Sequence, residues 1–216
     1  MTKEEIYARI NLADLRETAD EAAILALCDK AAKAGVASVC VAPQWVKTAK
    51  AHLGDKLSVT TLFGAPDGDM TTEEVAGIAK KAAEDGASEV IYTLNKQWFA
   101  NKQYNDIING FLAVRNAAGY GVKLEMNIES DGGSAGMTME EKEIAVRMIG
   151  VATGDMVITT AAADGKPASL AEVDLLYHRV CAATRVEAGG TVATLAEAEA
   201  LLNKGALRLL TAALPE

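Results

Sequence analysis

Gly154-Asp155-Met156-Val157-Ile158-Thr159-Thr160-Ala161 is a short apolar, β-branched run between a helix-like segment and the loop Ala162-Ala163-Asp164-Gly165-Lys166-Pro167. A run this short with helical patterns on both sides reads as a strand buried on both faces, the hallmark of a parallel sheet. Residues past its carboxyl end then face a site.

The same alternation extends in both directions. Strands are expected at Ile10 to Ala13, Ala37 to Ala42, Leu57 to Phe63, Glu89 to Asn95, Lys123 to Ile128, Arg185 to Ala188 and Arg208 to Thr211. Helices between them open on polar caps such as Thr18-Ala19-Asp20-Glu21, Thr71-Thr72-Glu73-Glu74 and Thr138-Met139-Glu140-Glu141. Pro43 starts a helix where its missing N–H costs little, and Gly35 and Gly205 end two others. Eight strands with seven intervening helices predict a single-domain α/β (β/α)₈ TIM barrel over residues 1–216, its last helix shortened or absent.

Composition agrees. The 216 residues are 50% apolar but only 5% aromatic, so the core is aliphatic. No apolar run is long enough to span a bilayer, and Met1-Thr2-Lys3-Glu4-Glu5 lacks the pattern of a signal peptide. Cys28, Cys40 and Cys181 sit in apolar segments without metal spacing and read as buried thiols of a cytoplasmic protein. With 21 basic against 30 acidic residues the net charge is −9, which disfavours nucleic acid and anionic membranes as partners. A small-molecule ligand and a homo-oligomer stay open. His52 and His178 lie in polar helical settings and are poor candidates for metal ligands or bases.

Several stretches, in order and at the right spacing, resemble the deoxyribose-phosphate aldolases. Ala37-Ser38-Val39-Cys40-Val41-Ala42-Pro43 is similar to the family's Ala-Ala-Val-Cys-Val-Asn-Pro. Phe63-Gly64-Ala65-Pro66-Asp67-Gly68 is similar to Val-Gly-Phe-Pro-Leu-Gly. Gly86-Ala87-Ser88-Glu89-Val90 resembles the start of strand four, and Val186-Glu187-Ala188-Gly189-Gly190 the motif of strand seven. The opening stretch resembles Asp-Phe-Val-Lys-Thr-Ser-Thr-Gly of strand six. The resemblance implies the same barrel. It also implies a reaction that reversibly cleaves 2-deoxyribose 5-phosphate to acetaldehyde and glyceraldehyde 3-phosphate through a lysine imine, with no metal and no cofactor.

The family's chemistry-bearing positions carry other residues here. Its imine-forming lysine falls on Ile158, which has no amine. Its strand-four aspartate falls on Ile91, its strand-five lysine on Glu125 and its strand-seven lysine on Glu187. The strand-one aspartate corresponds to Asn11 and the Thr two residues on to Ala13, while the phosphate-holding Gly-Thr-Ser-Ser becomes Leu210-Thr211-Ala212-Ala213.

Side-chain alternation places Glu125, Asn127 and Glu129 on the inward side of strand five, with Glu187 expected across the mouth. Asn11, Asn95, Thr160, Gly189 and Gly190 are further expected pocket residues, and Gly132-Gly133-Ser134-Ala135-Gly136 an expected lid. Trp98 and Phe99, after strand four, are better read as loop packing than as pocket walls. Two cation-to-anion replacements would move the local charge by about four units and repel a phosphorylated sugar, by about 4 kcal/mol per charge pair at ~4 Å. Beside Ile158 and Ile91 a glutamate is expected to hold its proton more tightly, and two neighbouring glutamates to push their pKa values apart.

Three functional readings follow. The barrel is an inactive homologue serving as scaffold or binding protein, with the glutamates a polar plug hydrogen-bonded to Thr, Asn or Lys123. Alternatively, Glu125 and Glu187 act as an acid/base pair, or as oxygen ligands for a divalent ion, in a different reaction. In the third reading a displaced lysine, among Lys96, Lys123 and Lys166, keeps the aldolase chemistry; Lys166 lies nearest the lost position, but its loop next to Asp164 would not lower its pKa.

Overall fold

The computed structural model describes residues 1–128, 137–160, 162 and 165–216. Within them β1 (Ile10–Asp14), β2 (Ser38–Val41), β3 (Ser58–Phe63), β4 (Glu89–Thr93), β5 (Lys123–Asn127), β6 (Met156–Ile158), β7 (Arg185–Gly189) and β8 (Ala206–Thr211) close into a barrel in chain order. Every neighbouring pair is parallel, including β8 with β1. The expected TIM barrel is present. β6 is shorter than its apolar run, because Thr159 and Thr160 turn their hydroxyls to backbone N–H groups of Gly189 and Ala162.

The outer helices are α2 (Glu21–Ala34), α3 (Val46–Leu53), α4 (Thr72–Glu84), α6 (Tyr104–Ala118), α7 (Met139–Val151), α8 (Leu170–Arg179) and α9 (Leu195–Asn203). Asp20, rather than Thr18, caps α2 by accepting from the Ala23 N–H. Pro43 opens a short 3₁₀ turn ahead of α3. The caps at Thr71, Thr138 and Thr194 are reciprocal boxes, each with a glutamate three residues on. No helix follows β8; Tyr7 instead donates to the Pro215 carbonyl, and Glu216 pairs with the backbone of Ala193 and Leu195.

Two short helices were not foreseen. α1 (Lys3–Tyr7) starts from Thr2, whose capping box with Glu5 was already visible as Thr-x-x-Glu. α5 (Lys96–Ala100) starts from Asn95. Among the described residues, no helix is long and apolar enough to cross a membrane. Cys28 and Cys40 are buried as expected, but Cys181 is exposed, because it lies beyond the end of α8.

The apolar core is split by the barrel wall. Outward-facing strand residues such as Leu12, Val39, Val90, Val157 and Leu209 pack under the helices. A separate inner cluster, Ala13, Cys40, Leu62, Ile91, Ile158 and Leu210, fills the barrel itself.

Candidate functional site

The register fixes the height of each inward side chain. With the one-residue climb per strand that closure of an eight-stranded barrel demands, Asn11, Thr60, Glu125 and Glu187 share one layer. Ser38, Glu89, Met156 and Arg208 lie below it, toward the amino ends of the strands. Cys40, Ile91, Ile158 and Leu210 lie above. Ala13, Leu62, Asn127 and Gly189 form the uppermost layer, next to the mouth.

Glu125 and Glu187 therefore do not face the mouth. Both are fully buried, and the apolar layer containing Ile91 and Ile158 separates them from it. Strand alternation placed them correctly on the inward face; it carries no information about height along the barrel axis. Asn127 shares that face two layers nearer the mouth and donates to the Thr93 hydroxyl at 3.0 Å. Glu129, Asp164 and the expected lid lie outside the described residues.

The partner of the glutamates is Arg208 on β8, not Thr, Asn or Lys123. Its Nε and Nη2 donate to the two carboxylate oxygens of Glu187, each at 2.8 Å. Its Nη1 donates to Glu89 Oε2 at 3.1 Å, Nη2 reaches Glu89 Oε1, and Nη2 also meets Glu125 Oε2 at 3.4 Å. This planar five-donor fork suits paired carboxylates in a way that a lysine ammonium does not. Glu89 and Arg208 were both legible as charged residues at inward positions of buried strands, a combination that demands a partner.

Burial, reinforced by the charges of Glu187 and Glu89, pushes the Glu125 carboxyl well above the usual carboxylate range despite Arg208. For Glu89 burial acts the same way, but the Arg208 guanidinium and its hydrogen bonds outweigh it and hold the carboxyl below its ordinary value. Of the two, Glu125 is the carboxyl that holds its proton more tightly. Its Oε1 meets no conventional donor among the described residues. Once protonated, that side chain donates to the Glu89 carboxylate, an interaction that stabilises both forms.

One oxygen from each of Glu89, Glu125 and Glu187 lies within 4.8 Å of the others, a spacing that could hold a cation. The Arg208 guanidinium already fills that role, and Glu125, whose carboxyl holds its proton more tightly than usual, is a poor oxygen ligand. The donor set therefore does not fit a divalent ion.

The pKa directions give a prediction. A folded-state carboxyl raised above its unfolded value, as at Glu125, contributes stability that is complete below the unfolded value and is lost as pH rises through the folded one. Glu89 behaves oppositely, contributing above its unfolded value and losing it as pH falls through its depressed folded one. Glutamine reproduces the protonated acid without titrating. Urea unfolding of Glu125→Gln should match the parent within about 1 kcal/mol at pH 5 and lose less stability than the parent on going to pH 9.

The remaining expected pocket residues have structural employment. Asn11 is buried in the polar layer and accepts from the Ser38 hydroxyl at 2.8 Å. Asn95 caps α5 and donates to the Gly68 carbonyl at 2.9 Å, tying the β3–α4 loop to β4. Phe99 is buried against Tyr104, so the aromatics after β4 pack the loop as expected. Thr160 is buried and accepts from the Ala162 N–H at 3.1 Å.

Gly189 and Gly190 do not offer their N–H groups to an anion. Gly189 donates to the Thr159 hydroxyl at 3.0 Å and Gly190 to the Leu210 carbonyl at 3.1 Å. The next two residues are engaged as well: Thr191 donates to the Gly165 carbonyl and Val192 to the Thr211 hydroxyl. A Cβ on Gly189 would stand 2.1 Å from the Thr160 carbonyl oxygen, so glycine there serves close packing of β7 on the end of β6.

What remains at the mouth is a cavity of about 710 Å³ beyond β1, β2, β3 and β8. Ala13, Ala42, Leu62, Phe63 and Ala212 line it, and Asp14 and Arg16 face each other across two hydrogen bonds at its edge. Arg16 holds the Asp14 carboxyl below its ordinary value. Of the three candidate lysines, Lys123 is at the amino end of β5, opposite the mouth, and Lys96 is 3.3 Å from Asp67. Lys166 is exposed in the loop after β6, with its carbonyl packed on Gly190.

No family model matches the chain. A deoxyribose-phosphate aldolase of Thermococcus kodakarensis is 32% identical over 215 residues, covering 98% of this chain and 94% of that protein. One from Clostridioides difficile is 31% identical over 188 residues, 87% of this chain and 84% of its own. Among solved structures, an aldolase designated QR15 superposes with a TM-score of 0.87 at 25% identity, over 96% of this chain and 91% of that one. The deoxyribose phosphate aldolase of Aeropyrum pernix, described as tetrameric, shares the fold with a TM-score of 0.86 at 18% identity, over 98% and 88%.

Proposed function

The chain belongs to the deoxyribose-phosphate aldolase family, and from that premise we propose that it binds a small, uncharged, unphosphorylated molecule at the barrel mouth without forming an imine with it. The observation that carries the reading is Ile158. It stands where the family's lysine is expected from the resemblance, it is fully buried, and its neighbours Cys40, Ile91 and Leu210 supply no amine either. The wall above them is apolar, and the cation nearest the cavity, Arg16, already faces Asp14.

The same geometry weakens the other readings. Glu125 and Glu187 lie beneath the apolar layer and are held by Arg208, which removes support for an acid/base pair or a divalent site acting on a mouth ligand. Rejection of a phosphorylated sugar then rests on the engaged N–H groups of residues 189–192 and the alanines after Thr211, not on charge inversion at Glu125 and Glu187.

A thermal-shift series tests the proposal. A ligand present at about 100 times its dissociation constant stabilises by about 2.7 kcal/mol, or roughly 5–10 °C for a chain of this size. Inorganic phosphate and 2-deoxyribose 5-phosphate should leave Tm unchanged, while at least one member of a panel of neutral aldehydes, ketones and polyols should raise it. A rise of that size with the phosphorylated sugar alone would overturn the reading.

A further inference from the structure

We infer that the barrel interior contains a specific site for an internal water molecule, in the layer of Asn11, Thr60, Glu125 and Glu187. This site is independent of whatever the mouth binds. Asn11 Nδ2, Thr60 Oγ1 and Glu125 Oε1 are fully buried and find no hydrogen-bond partner among the described residues. All three belong to the one layer that the register defines, and they come from β1, β3 and β5.

The orphan on Asn11 is not a matter of which way its amide is turned. The Ser38 hydroxyl engages one end of the amide, and exchanging oxygen and nitrogen would only replace an unpartnered donor by an unpartnered acceptor. Thr60 likewise has a hydroxyl proton to give. The layer is thus left with two donors needing an acceptor, beside the Glu125 Oε1 oxygen able to accept in return.

Water meets both needs, since it accepts from Asn11 and Thr60 and donates toward Glu125 or Glu187. A cation does not, because it would face the Asn11 amide protons and the Arg208 guanidinium. An anion such as chloride does not, because Glu89 and Glu187 border the layer. Above, the inner apolar cluster closes the layer off from the mouth; below, Arg208 spans it. An occupant is thereby sequestered, and it completes the hydrogen bonding of three buried atoms that no described protein group meets.

The test is a high-resolution crystal structure of the full chain, with parallel crystals soaked in sodium bromide and in manganese chloride. The expected result is one density peak within hydrogen-bond reach of Asn11 Nδ2 and Thr60 Oγ1. It should carry no anomalous signal in either soak and should be lost or displaced in Thr60→Val. An anomalous bromide or manganese peak at that point overturns the assignment in favour of an ion. So does the absence of density, or direct pairing of Asn11 and Thr60 with protein groups. The parent crystal decides the question even if the variant does not fold.

Discussion

Replacing Arg208 by methionine is expected to lower the free energy of unfolding at pH 7 by about 3–5 kcal/mol, the range for removing one partner from a buried ionic group. The methionine fills much of the volume, so the loss is electrostatic rather than a cavity effect. Without the guanidinium, Glu89 and Glu187 confront each other and Glu125 in the closed barrel interior, with no countercharge to offset desolvation. Protonation relieves that conflict. The difference between Arg208→Met and the parent in urea unfolding should therefore shrink from pH 7 toward pH 4. Arg208→Lys should recover only part of the loss, because one ammonium cannot serve both oxygens of two carboxylates. A deficit that is small, or that does not change with pH, would mean that the cluster is held chiefly by packing.

The second large effect is predicted for Ile158→Lys. A lysine amine in a fully buried apolar layer has its pKa lowered by about 3–5 units, which corresponds to about 4–7 kcal/mol of stability at neutral pH. The amine is then neutral when folded and charged when unfolded. Stability should accordingly climb as pH rises toward the unfolded value of about 10.4, opposite in trend to the parent. The variant is not expected to recover aldolase activity. By the family resemblance that reaction also needs the aspartate and second lysine whose positions are Ile91 and Glu187. Equal losses at pH 7 and pH 10 would show that the layer is wetter than its side chains imply.

The barrel was legible in the sequence because its signals are local and repeated. Apolar runs of strand length, Thr-x-x-Glu caps and the glycines that end helices recur along the chain, and each reports its own element. Inward-facing parity was legible too, which is why Glu125 and Asn127 fall on the side expected of them. Height was not. Whether an inward residue meets the mouth or the closed layer below depends on the shear of the barrel, a property of eight strands together. That is how Glu125 and Glu187 came to be expected two layers too high, and how Asn11 came to be counted a pocket residue.

Arg208 was missed for a related reason. It lies 83 residues from Glu125 and 119 from Glu89 along the chain, and only closure of β8 onto the sheet brings them together. The negative charge of Glu187 and Glu89, which the sequence alone leaves without a partner, is thus met inside the barrel. That Ile158 carries no amine, by contrast, needs no tertiary information. It was readable from one residue.

Sodium borohydride reduction in the presence of acetaldehyde, followed by intact-mass and peptide analysis, tests the proposed lack of imine chemistry most directly. A mass unchanged on every lysine, under conditions where a family enzyme with its lysine is quantitatively labelled, is the predicted result. A reduced adduct on Lys166 or any other lysine at the mouth would contradict it.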